Sequence, residues 1–533
     1  MRNGIGRDFE APGRSVALGI HGMAATSHPA ATLTAIETLK AGGNAMDAAI
    51  AACAVQCVVE PGMTGIGGDC FVLYAPRGRS TIHAFNGAGR TPAGTDAAAL
   101  RAQGLSAIPH NSPHAVTIPG AVDAWCRLAA DHGRLPLARL LEPAIALATE
   151  GFAVTPRVAF DWATCRDLLA QRPAATAAYL REGDAPAAGD VLRFPALART
   201  LSAIAEGGRR AFYEGPVAAE MVATLRAEGG THTAEDFAAA AGAYVTPIRT
   251  HFRDYAVHEC PPPGQGIIAL LIMNILAAFP GSGDPLAAER LHIEIEAARL
   301  AYAVRNAILA EGSPATGDRL LSPGFAAELA SRIDPGRAAT DLPSFAGPEH
   351  RDTVYLTVVD RDRNVASFIN SVFDTFGSGI VAAESGVLLH NRGMSFTLDP
   401  GHPNTLAPRR QPMHTIIPGM MTNGDRVAMS FGVMGGHFQA MGQAHLVSKV
   451  VDYGMDLQSA MALPRLFPVP GTPLVEAEAT LPAAARAGLE ARGHRLIPAD
   501  HPIGGAQAIW IDWERGVLTG GSEPRKDGLA LGY

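Results

Sequence analysis

A threonine that directly follows an aspartate opens a strand-forming run, DTVYLTVVD, at residues 352–360. Two functions fit this position. In the first, Thr353 is an ordinary β-branched strand residue. In the second, its hydroxyl is a nucleophile that becomes active once the peptide bond to Asp352 is broken, because an N-terminal threonine supplies both a hydroxyl and an amine that can serve as its base. The local sequence alone favours the ordinary strand residue.

The run around Thr353 predicts a β-hairpin, because TVYLTVVD and VASFINSV are strand-like and flank a polar loop at residues 361–364. If Asp360 pairs with Val365, Thr353 lies opposite Val372 and beside Ser371, whose hydroxyl could then bond to it. A register error of one residue would change these neighbours. The period of two separates the faces regardless of register, with Thr353, Tyr355 and Thr357 on one side.

Other segments indicate what surrounds this hairpin. An Ala-rich stretch at residues 28–60 predicts two helices, the first ending at Gly42-Gly43 and the second beginning at the N-cap Asn44. Helical patterns dominate from about residue 120 to 345, and strands follow from about 350, before a helix and a final hairpin at 506–522. This order predicts sheets between helical layers in one packed unit.

Composition excludes several classes of protein. Of the 533 residues, 47% are apolar and 18% charged, enough for a large core, and the net charge of −8 argues against a nucleic-acid surface. Six cysteines without a CxxC pair fit a reducing compartment better than disulfides or a metal site, and no cofactor motif is present. The N-terminus lacks a signal-peptide core and no apolar run is long enough to span a bilayer, so we expect a cytoplasmic protein without membrane contact.

Several segments together resemble the γ-glutamyltransferase family of self-processing N-terminal nucleophile hydrolases. They run in consistent order from about residue 20 to the C-terminus: ATSHPAATLTAIETLKAGGNAMDAAIAACAVQCVVEPGMTGIGGDCF, TIPGAVDAW, CPPPGQG, DTVYLTVVD, FGSGIVAAESGVLLHN, GVMGGHFQ and DYGMDLQSAMALPRLF. The resemblance implies an α+β fold, a four-layer αββα sandwich. It also implies a precursor cut between Asp352 and Thr353 into subunits of residues 1–352 and 353–533 that stay associated.

The chemistry implied by the resemblance needs threonine at the cut. Its hydroxyl attacks the preceding carbonyl, the acyl group shifts from nitrogen to oxygen, and water cleaves the ester. The freed α-amine has a reference pKa of about 7.7–8.0, suitable for a base near neutrality. The diglycine in MGGH corresponds to backbone donors for the oxyanion, Gly435 and Gly436, and Ser371 corresponds to the hydroxyl that bonds the nucleophile.

The chain departs from the family where glutathione-cleaving members bind the glutamyl group. Ala88 aligns with the arginine that binds the α-carboxylate, and Arg90 follows two residues later. Ser395 replaces the aspartate that holds the α-ammonium, and Arg392 stands where a neutral residue is usual. Phe373 occupies a further amine-binding position. A buried ammonium without an anionic partner is costly, so these changes indicate an altered acyl pocket.

Two further positions bear on this pocket. In QPMHTIIP, His414 and Thr415 fall on the family's paired serines; Thr415 keeps a hydroxyl, whereas His414 supplies a titratable donor. The stretch TLDPGHPNTLAPRRQPMHT is shorter than the one that carries the family's lid, which predicts a more open site. GIGGD lacks the lysine of a phosphate loop, so we interpret it as a structural turn.

The sequence therefore predicts an autoprocessed amide hydrolase that passes its acyl group mainly to water. Arg392 and Arg90 would recognise an acidic acyl group without an α-amine, as in oxamate-type or glutaryl-type amides. Genuine γ-glutamyl hydrolysis or transfer is the main alternative, and a non-catalytic binding relative is the second. The expected partners are a small-molecule amide and the two subunits themselves; a higher oligomer is left open.

Overall fold

The computed structural model describes residues 10, 13–281, 283–312, 316–340 and 353–533. Asp352, and with it the predicted cleavage bond, lies outside these residues. The strands of the described part are β1 (Ala17–Gly19), β2 (Met23–Ala25), β3 (Asp69–Ala75), β4 (His83–Gly87), β5 (Phe152–Ala153), β6 (Val191–Leu192), β7 (Ala243–Val245), β8 (Ile248–Phe252), β9 (Tyr255–Glu259), β10 (Val354–Val359), β11 (Val365–Ser371), β12 (Ile380–Ala382), β13 (Val387–Leu389), β14 (Gly419–Asn423), β15 (Arg426–Met434), β16 (Leu466–Pro468), β17 (Leu474–Ala477), β18 (Arg495–Pro498), β19 (Gly505–Asp512), β20 (Val517–Ser522) and β21 (Ala530–Gly532).

The α-helices are interspersed with these strands along the chain. They are α1 (Pro29–Lys40), α2 (Ala45–Val59), α3 (Ala97–Ala102), α4 (Ala121–His132), α5 (Leu137–Glu150), α6 (Pro156–Ala163), α7 (Arg166–Leu169), α8 (Pro173–Tyr179), α9 (Pro195–Gly207), α10 (Arg209–Tyr213), α11 (Pro216–Ala227), α12 (Ala234–Ala238), α13 (Gly266–Leu276), α14 (Ala288–Ile308), α15 (Thr316–Leu320), α16 (Pro323–Ala330), α17 (Phe438–Val451), α18 (Leu457–Ala462) and α19 (Ala483–Ala491). A 3₁₀ turn at Arg392–Ser395 matters for the site.

Two seven-stranded sheets lie face to face. The first sheet has the order β21-β2-β10-β11-β3-β4-β7, and the second sheet the order β1-β20-β19-β15-β14-β9-β8. In the first sheet, β10 and β11 lie between β2 and β3, which come from the other side of residue 353. The two predicted subunits therefore share both sheets, and their boundary at residue 353 stays a prediction.

In the part of the chain that the structure describes, three of the apolar clusters separate four layers. Alternate side chains of β3 and β10, such as Val72 and Leu356, pack against α1, α2, α4 and α5 on the outer face of the first sheet. Phe71 and Tyr355 face the other way, into a core between the sheets. α13, α14 and α17 cover the outer face of the second sheet. The predicted αββα arrangement is confirmed, and the period of two along β10 correctly assigned its faces.

The predicted register of the hairpin was wrong by one residue. Val359 pairs with Val365 and Val354 with Asn370, so Thr353 comes opposite Ser371 rather than Val372. The loop is longer than predicted because Asp360 leaves the ladder: its carboxylate accepts from the backbone and side-chain N–H groups of Asn364, at 2.9 and 2.7 Å. A side chain that bonds its own loop competes with strand pairing, which the alternation pattern does not reveal.

Other predicted elements are confirmed, and some were missed. Asn44 caps α2 in a capping box with Asp47, and the final hairpin is β19–β20. The helical pattern predicted for residues 120–345 overlooked β7, β8 and β9, because short, partly exposed strands carry little apolar alternation. Within the described residues, no helix has the length and apolar character needed to span a bilayer.

Gly432 lets the two sheets approach each other next to the site. A β-carbon at this position would lie 2.4 Å from ring carbons of Tyr355 in the opposite sheet. We expect Gly432→Ala to lower the free energy of unfolding by about 1–3 kcal/mol, because the ring has to shift in a close-packed core. Urea denaturation measures this, with Gly324→Ala in α16 as control, since a β-carbon there meets open space. Equal midpoints for both variants would contradict the prediction.

Candidate functional site

Thr353 is buried at the entrance to β10, where the hairpin brings a second hydroxyl to it. Its Oγ1 lies 3.1 Å from Oγ of Ser371, the last residue of β11. The Ser371 oxygen also accepts the backbone N–H of Phe373 at 2.9 Å. The serine is thus held in place by the loop that follows it, and it can orient the threonine hydroxyl by a hydrogen bond.

A glutamine from α17 completes the immediate surroundings of Thr353. The side-chain amide of Gln439 is oriented so that its nitrogen donates to the carbonyls of Val433 and Thr415, at 3.2 and 3.0 Å, because the opposite orientation would place its oxygen against these two acceptors. Its oxygen then faces Oγ1 of Thr353 at 3.5 Å, a contact longer than a strong hydrogen bond. Sequence reasoning missed Gln439, although it lies in the GVMGGHFQ segment, because nothing local indicates that the first turn of α17 faces Thr353.

The diglycine forms the turn between β15 and α17. Gly435 and Gly436 have φ values of 113° and 53°, a region that favours glycine over residues with a β-carbon. The diglycine turn immediately precedes α17, and the N–H of Gln439 in the first turn of this helix donates to the carbonyl of Gly436 at 3.3 Å. The side chain of the same Gln439 contacts Thr353. This placement suits backbone donors for an oxyanion, and that role stays a prediction.

A buried arginine lines the other side of the site. Cζ of Arg392 lies 4.1 Å from the ring centroid of Phe373, and its Nη1 donates to Oγ1 of Thr415 at 2.8 Å. Phe373 has a φ of 79°, which is strained for a residue with a β-carbon and which presents its ring to the guanidinium. Thr353, Ser371, Phe373, Arg392, Thr415 and Gln439 thereby form a closed ring of contacts.

Arg392 has hydrogen-bonding capacity to spare. The side chain is 0% exposed, yet within the described residues its Nε and Nη2 have no acceptor, and the buried Oγ of Ser395, one turn along the 3₁₀ segment, has no partner either. Burial lowers the pKa of Arg392 to about 9, against Asp69 and Asp374, which raise it. A buried cation with free donors is stabilised by an anion, and Nε with Nη2 forms the edge that grips a carboxylate with two bonds.

The predicted role of His414 in substrate binding is not supported. Its Nε2 donates to Oδ2 of Asp69 at 3.1 Å, its Nδ1 accepts the N–H of Ile416 at 3.4 Å, and its ring stacks on Phe71. Burial and the charge of Arg392 lower the pKa of His414 to about 3, so the ring is neutral. With both nitrogens engaged, His414 supports the site from behind and offers no donor to it.

Asp69 is a buried acid that sequence reasoning set aside as part of a structural turn in GIGGD. Besides His414, its carboxylate accepts the N–H groups of Gly89 and Gly120, at 3.0 and 3.2 Å. Burial raises the pKa of Asp69, but the neighbouring His390, His414 and Arg392 outweigh it and hold the pKa below its usual range. An aspartate directly after two glycines was the available signal in the sequence.

Arg90 also departs from its predicted role. The side chain is 49% exposed, its Nη1 pairs with Glu311 at 2.6 Å, and it donates to the carbonyl of Arg409 at 2.9 Å. This guanidinium is committed to the protein surface and is not part of the contact ring around Thr353. Of the two predicted arginines, the structure brings Arg392 alone to the site.

The segment predicted to be a shortened lid folds back on the site. Asn404 donates to the carbonyl of Ser395 at 2.5 Å, and His402 donates to the carbonyl of Asn306, near the end of α14, at 2.7 Å. The segment therefore lies against the 3₁₀ turn that carries Arg392. Its shortening relative to the family stays a prediction.

One group of described residues could hold a metal ion by its donor atoms and spacing. It consists of His292, Glu296 and His494. Each already has protein partners. Nε2 of His292 donates to the carbonyl of Asp334, its Nδ1 accepts from Nε2 of His494 at 2.7 Å, and Glu296 pairs with Arg299. Both ring nitrogens of His292 are thus engaged with the protein, and the adjacent guanidinium of Arg299 opposes a cation. The sequence-based expectation of no metal stays a prediction.

Comparisons with known proteins agree on one family. The family model described as gamma-glutamyltranspeptidase matches residues 31–533. The glutathione hydrolase-like YwrD proenzyme of Bacillus subtilis is 36% identical over 97% of this chain and 99% of its own. The oxamate amidohydrolase proenzyme of Klebsiella pneumoniae is 34% identical over 96% of this chain and 98% of its own. The crystal structure of cephalosporin acylase from Bacillus halodurans superposes with a TM-score of 0.92 at 37% identity, covering 99% of both chains.

Proposed function

Because this chain belongs to the gamma-glutamyltranspeptidase family, we propose that it is a self-cleaving amide hydrolase whose nucleophile is Thr353 and whose acyl substrates carry a carboxylate and no α-amine. The observation that carries the acyl preference is the buried guanidinium of Arg392. Within the described residues its Nε and Nη2 have no acceptor, and it lies against the ring of Phe373, close to Ser371. Relatives named glutathione hydrolase, oxamate amidohydrolase and acylase support the reaction class.

Self-cleavage follows from the position of the hydroxyl. Oγ1 of Thr353 attacks the carbonyl carbon of Asp352, the C–N bond breaks, the hydroxyl proton passes to the nitrogen, and the acyl group is left on Oγ1 as an ester. Water hydrolyses the ester, leaving a carboxylate on Asp352 and a free α-amine on Thr353. Ser371, 3.1 Å from Oγ1, holds the hydroxyl in position during both steps. Nucleophile and base then belong to one residue.

Turnover repeats this chemistry on a substrate. The α-amine of Thr353 takes the hydroxyl proton as Oγ1 attacks the substrate carbonyl, and the N–H groups of the Gly435-Gly436 turn stabilise the negative charge on the carbonyl oxygen. The amine leaves with a proton, and water displaces the acyl group from the ester. The carboxylate of the acyl group binds the Nε–Nη2 edge of Arg392, with Ser395 as a further donor.

The same pocket disfavours a γ-glutamyl group. An α-ammonium brought to this position would meet the cation of Arg392, and Ser395 offers a hydroxyl where an anionic partner is needed. Two like charges in a buried site repel strongly because solvent screening is weak. Glutathione hydrolysis is still the second candidate, because one relative reported above is named glutathione hydrolase-like.

A substrate panel tests the proposal. Purified wild type is incubated with oxamate, with a glutaryl anilide and with the γ-glutamyl anilide, and kcat/KM is measured for each. We expect the kcat/KM of the acidic substrates to exceed that of the γ-glutamyl anilide by about 100-fold, because placing like charges together costs several kcal/mol. Equal or better γ-glutamyl turnover would overturn the acyl preference. A chain that stays uncut and inactive towards all three would favour a binding protein.

A further inference from the structure

A buried glutamine joins the two walls of the site through one amide. Gln265 precedes α13 in the CPPPGQG turn and is 0% exposed. Its Nε2 donates to the carbonyl of Thr415 and to the carbonyl of Gly436, both at 2.9 Å. Its backbone N–H donates to the carbonyl of His414 at 2.8 Å. One nitrogen therefore links two parts of the site. The first is Thr415, whose hydroxyl accepts a hydrogen bond from Arg392, and the second is the diglycine turn.

An arginine fixes the orientation of this amide. Nη1 of Arg305, near the end of α14, donates to Oε1 of Gln265 at 2.8 Å. Because a guanidinium only donates, the glutamine oxygen has to face it, and the NH₂ group has to face the two carbonyls. Arg305 lies 4.7 Å from the ring centroid of Tyr302. The Tyr302 hydroxyl in turn donates to the carbonyl of His437, directly after the diglycine, at 2.5 Å.

The geometry points to Gln265 as a positioning residue. It sets the distance between the Arg392 guanidinium, which binds the substrate carboxylate, and the backbone N–H groups of the diglycine turn, which stabilise the oxyanion. This inference rests on the proposed function. The carbonyls of Thr415 and Gly436 cannot move apart without breaking a bond to the same nitrogen. The N–H groups of the diglycine turn thus stay aligned on the carbonyl of a substrate whose other end is held by Arg392. A misplacement of about 1 Å between reacting groups costs about 100-fold in rate.

The inference predicts a loss of kcat rather than of binding. In Gln265→Glu the size and the Arg305 contact are kept, but both donated N–H groups are lost. In Gln265→Met all polar contacts of the side chain are lost, and the backbone bond to His414 is kept. We expect either variant to lower kcat about 100-fold on the best acidic acyl amide and to change KM less than about 3-fold, because the Nε and Nη2 groups of Arg392 are unchanged.

Gln458 supplies a matched control. It is also buried, its Nε2 donates to the carbonyl of Ser522 at 2.8 Å, and its oxygen accepts the N–H of the same residue at 3.1 Å. Gln458→Glu removes one donated bond and Gln458→Met removes both side-chain bonds, in each case away from the contact ring. We expect them to lower Tm as much as the Gln265 variants do, with kcat within about 2-fold of wild type.

The measurements separate the outcomes. Fully cleaved protein is isolated, and its new N-terminus is verified by mass spectrometry. The values of kcat, KM and Tm are then measured for wild type, the two Gln265 variants and the two Gln458 variants. If a Gln265 variant cleaves slowly, the rate of precursor cleavage is compared instead of kcat. A kcat loss no larger than in the Gln458 variants would overturn the inference. If wild type itself neither cleaves nor hydrolyses the panel, the proposed function fails instead.

Discussion

Thr353→Ala should remain a single chain of 55.4 kDa and hydrolyse no amide, whereas wild type should separate into pieces of roughly 37 and 19 kDa. The variant lacks the hydroxyl that attacks the bond to Asp352 in the proposed mechanism, so neither the ester nor the free α-amine should form. The buried neighbours Ser371 and Gln439 stay in place, and the fold should survive. We expect a loss in kcat of about 10⁴-fold or more, as for other covalent nucleophiles.

Thr357→Ala is the matched control for this experiment. It removes a hydroxyl from the same face of the same strand, where Thr357 bonds Ser430 at 2.6 Å. It should cleave and turn over normally. Denaturing electrophoresis and intact mass report cleavage, and Thr353→Ser, which restores a hydroxyl, should regain part of it. Cleavage or hydrolysis by Thr353→Ala at the wild-type rate would eliminate Thr353 as the nucleophile.

Arg392→Met should convert the protein from a hydrolase of acidic acyl amides into a weak, unselective one. The substituted side chain fills a similar volume above Phe373 but cannot bond a carboxylate. Removing one partner of a buried charged pair costs about 2–5 kcal/mol, so kcat/KM for the acidic substrates should fall by about 30-fold to several thousand-fold. Self-cleavage should proceed, because Ser371 and the diglycine turn are unchanged.

An uncharged acyl amide of the same length serves as the internal control for Arg392→Met, and its kcat/KM should change by less than about 3-fold. Arg392→Lys should restore little of the lost activity, because an ammonium cannot reproduce two parallel N–H bonds. If Arg392→Met hydrolyses acidic and uncharged amides as wild type does, Arg392 does not bind the acyl group and its buried donors have another purpose.

Much of the site follows from local sequence. The alternation in TVYLTVVD and VASFINSV correctly placed Ser371 beside Thr353, despite a register that was wrong by one residue, because hairpin neighbours are set by short-range pairing. Asn44 and the final hairpin followed from equally local signals. Arg90 and His414 were misplaced because side-chain direction depends on partners far along the chain, here Glu311 and Asp69.

The sequence by itself determined the family, the layered architecture and the threonine at the head of a central strand, since these depend on periodicity and on ordered motifs. Only the tertiary structure decided how the pocket is built. Gln439, Gln265 and Asp69 lie on different elements, and no local pattern indicates that they converge. The importance of Arg392 arises in the same way: burial removes water from its guanidinium, and the described residues offer no acceptor to its Nε and Nη2.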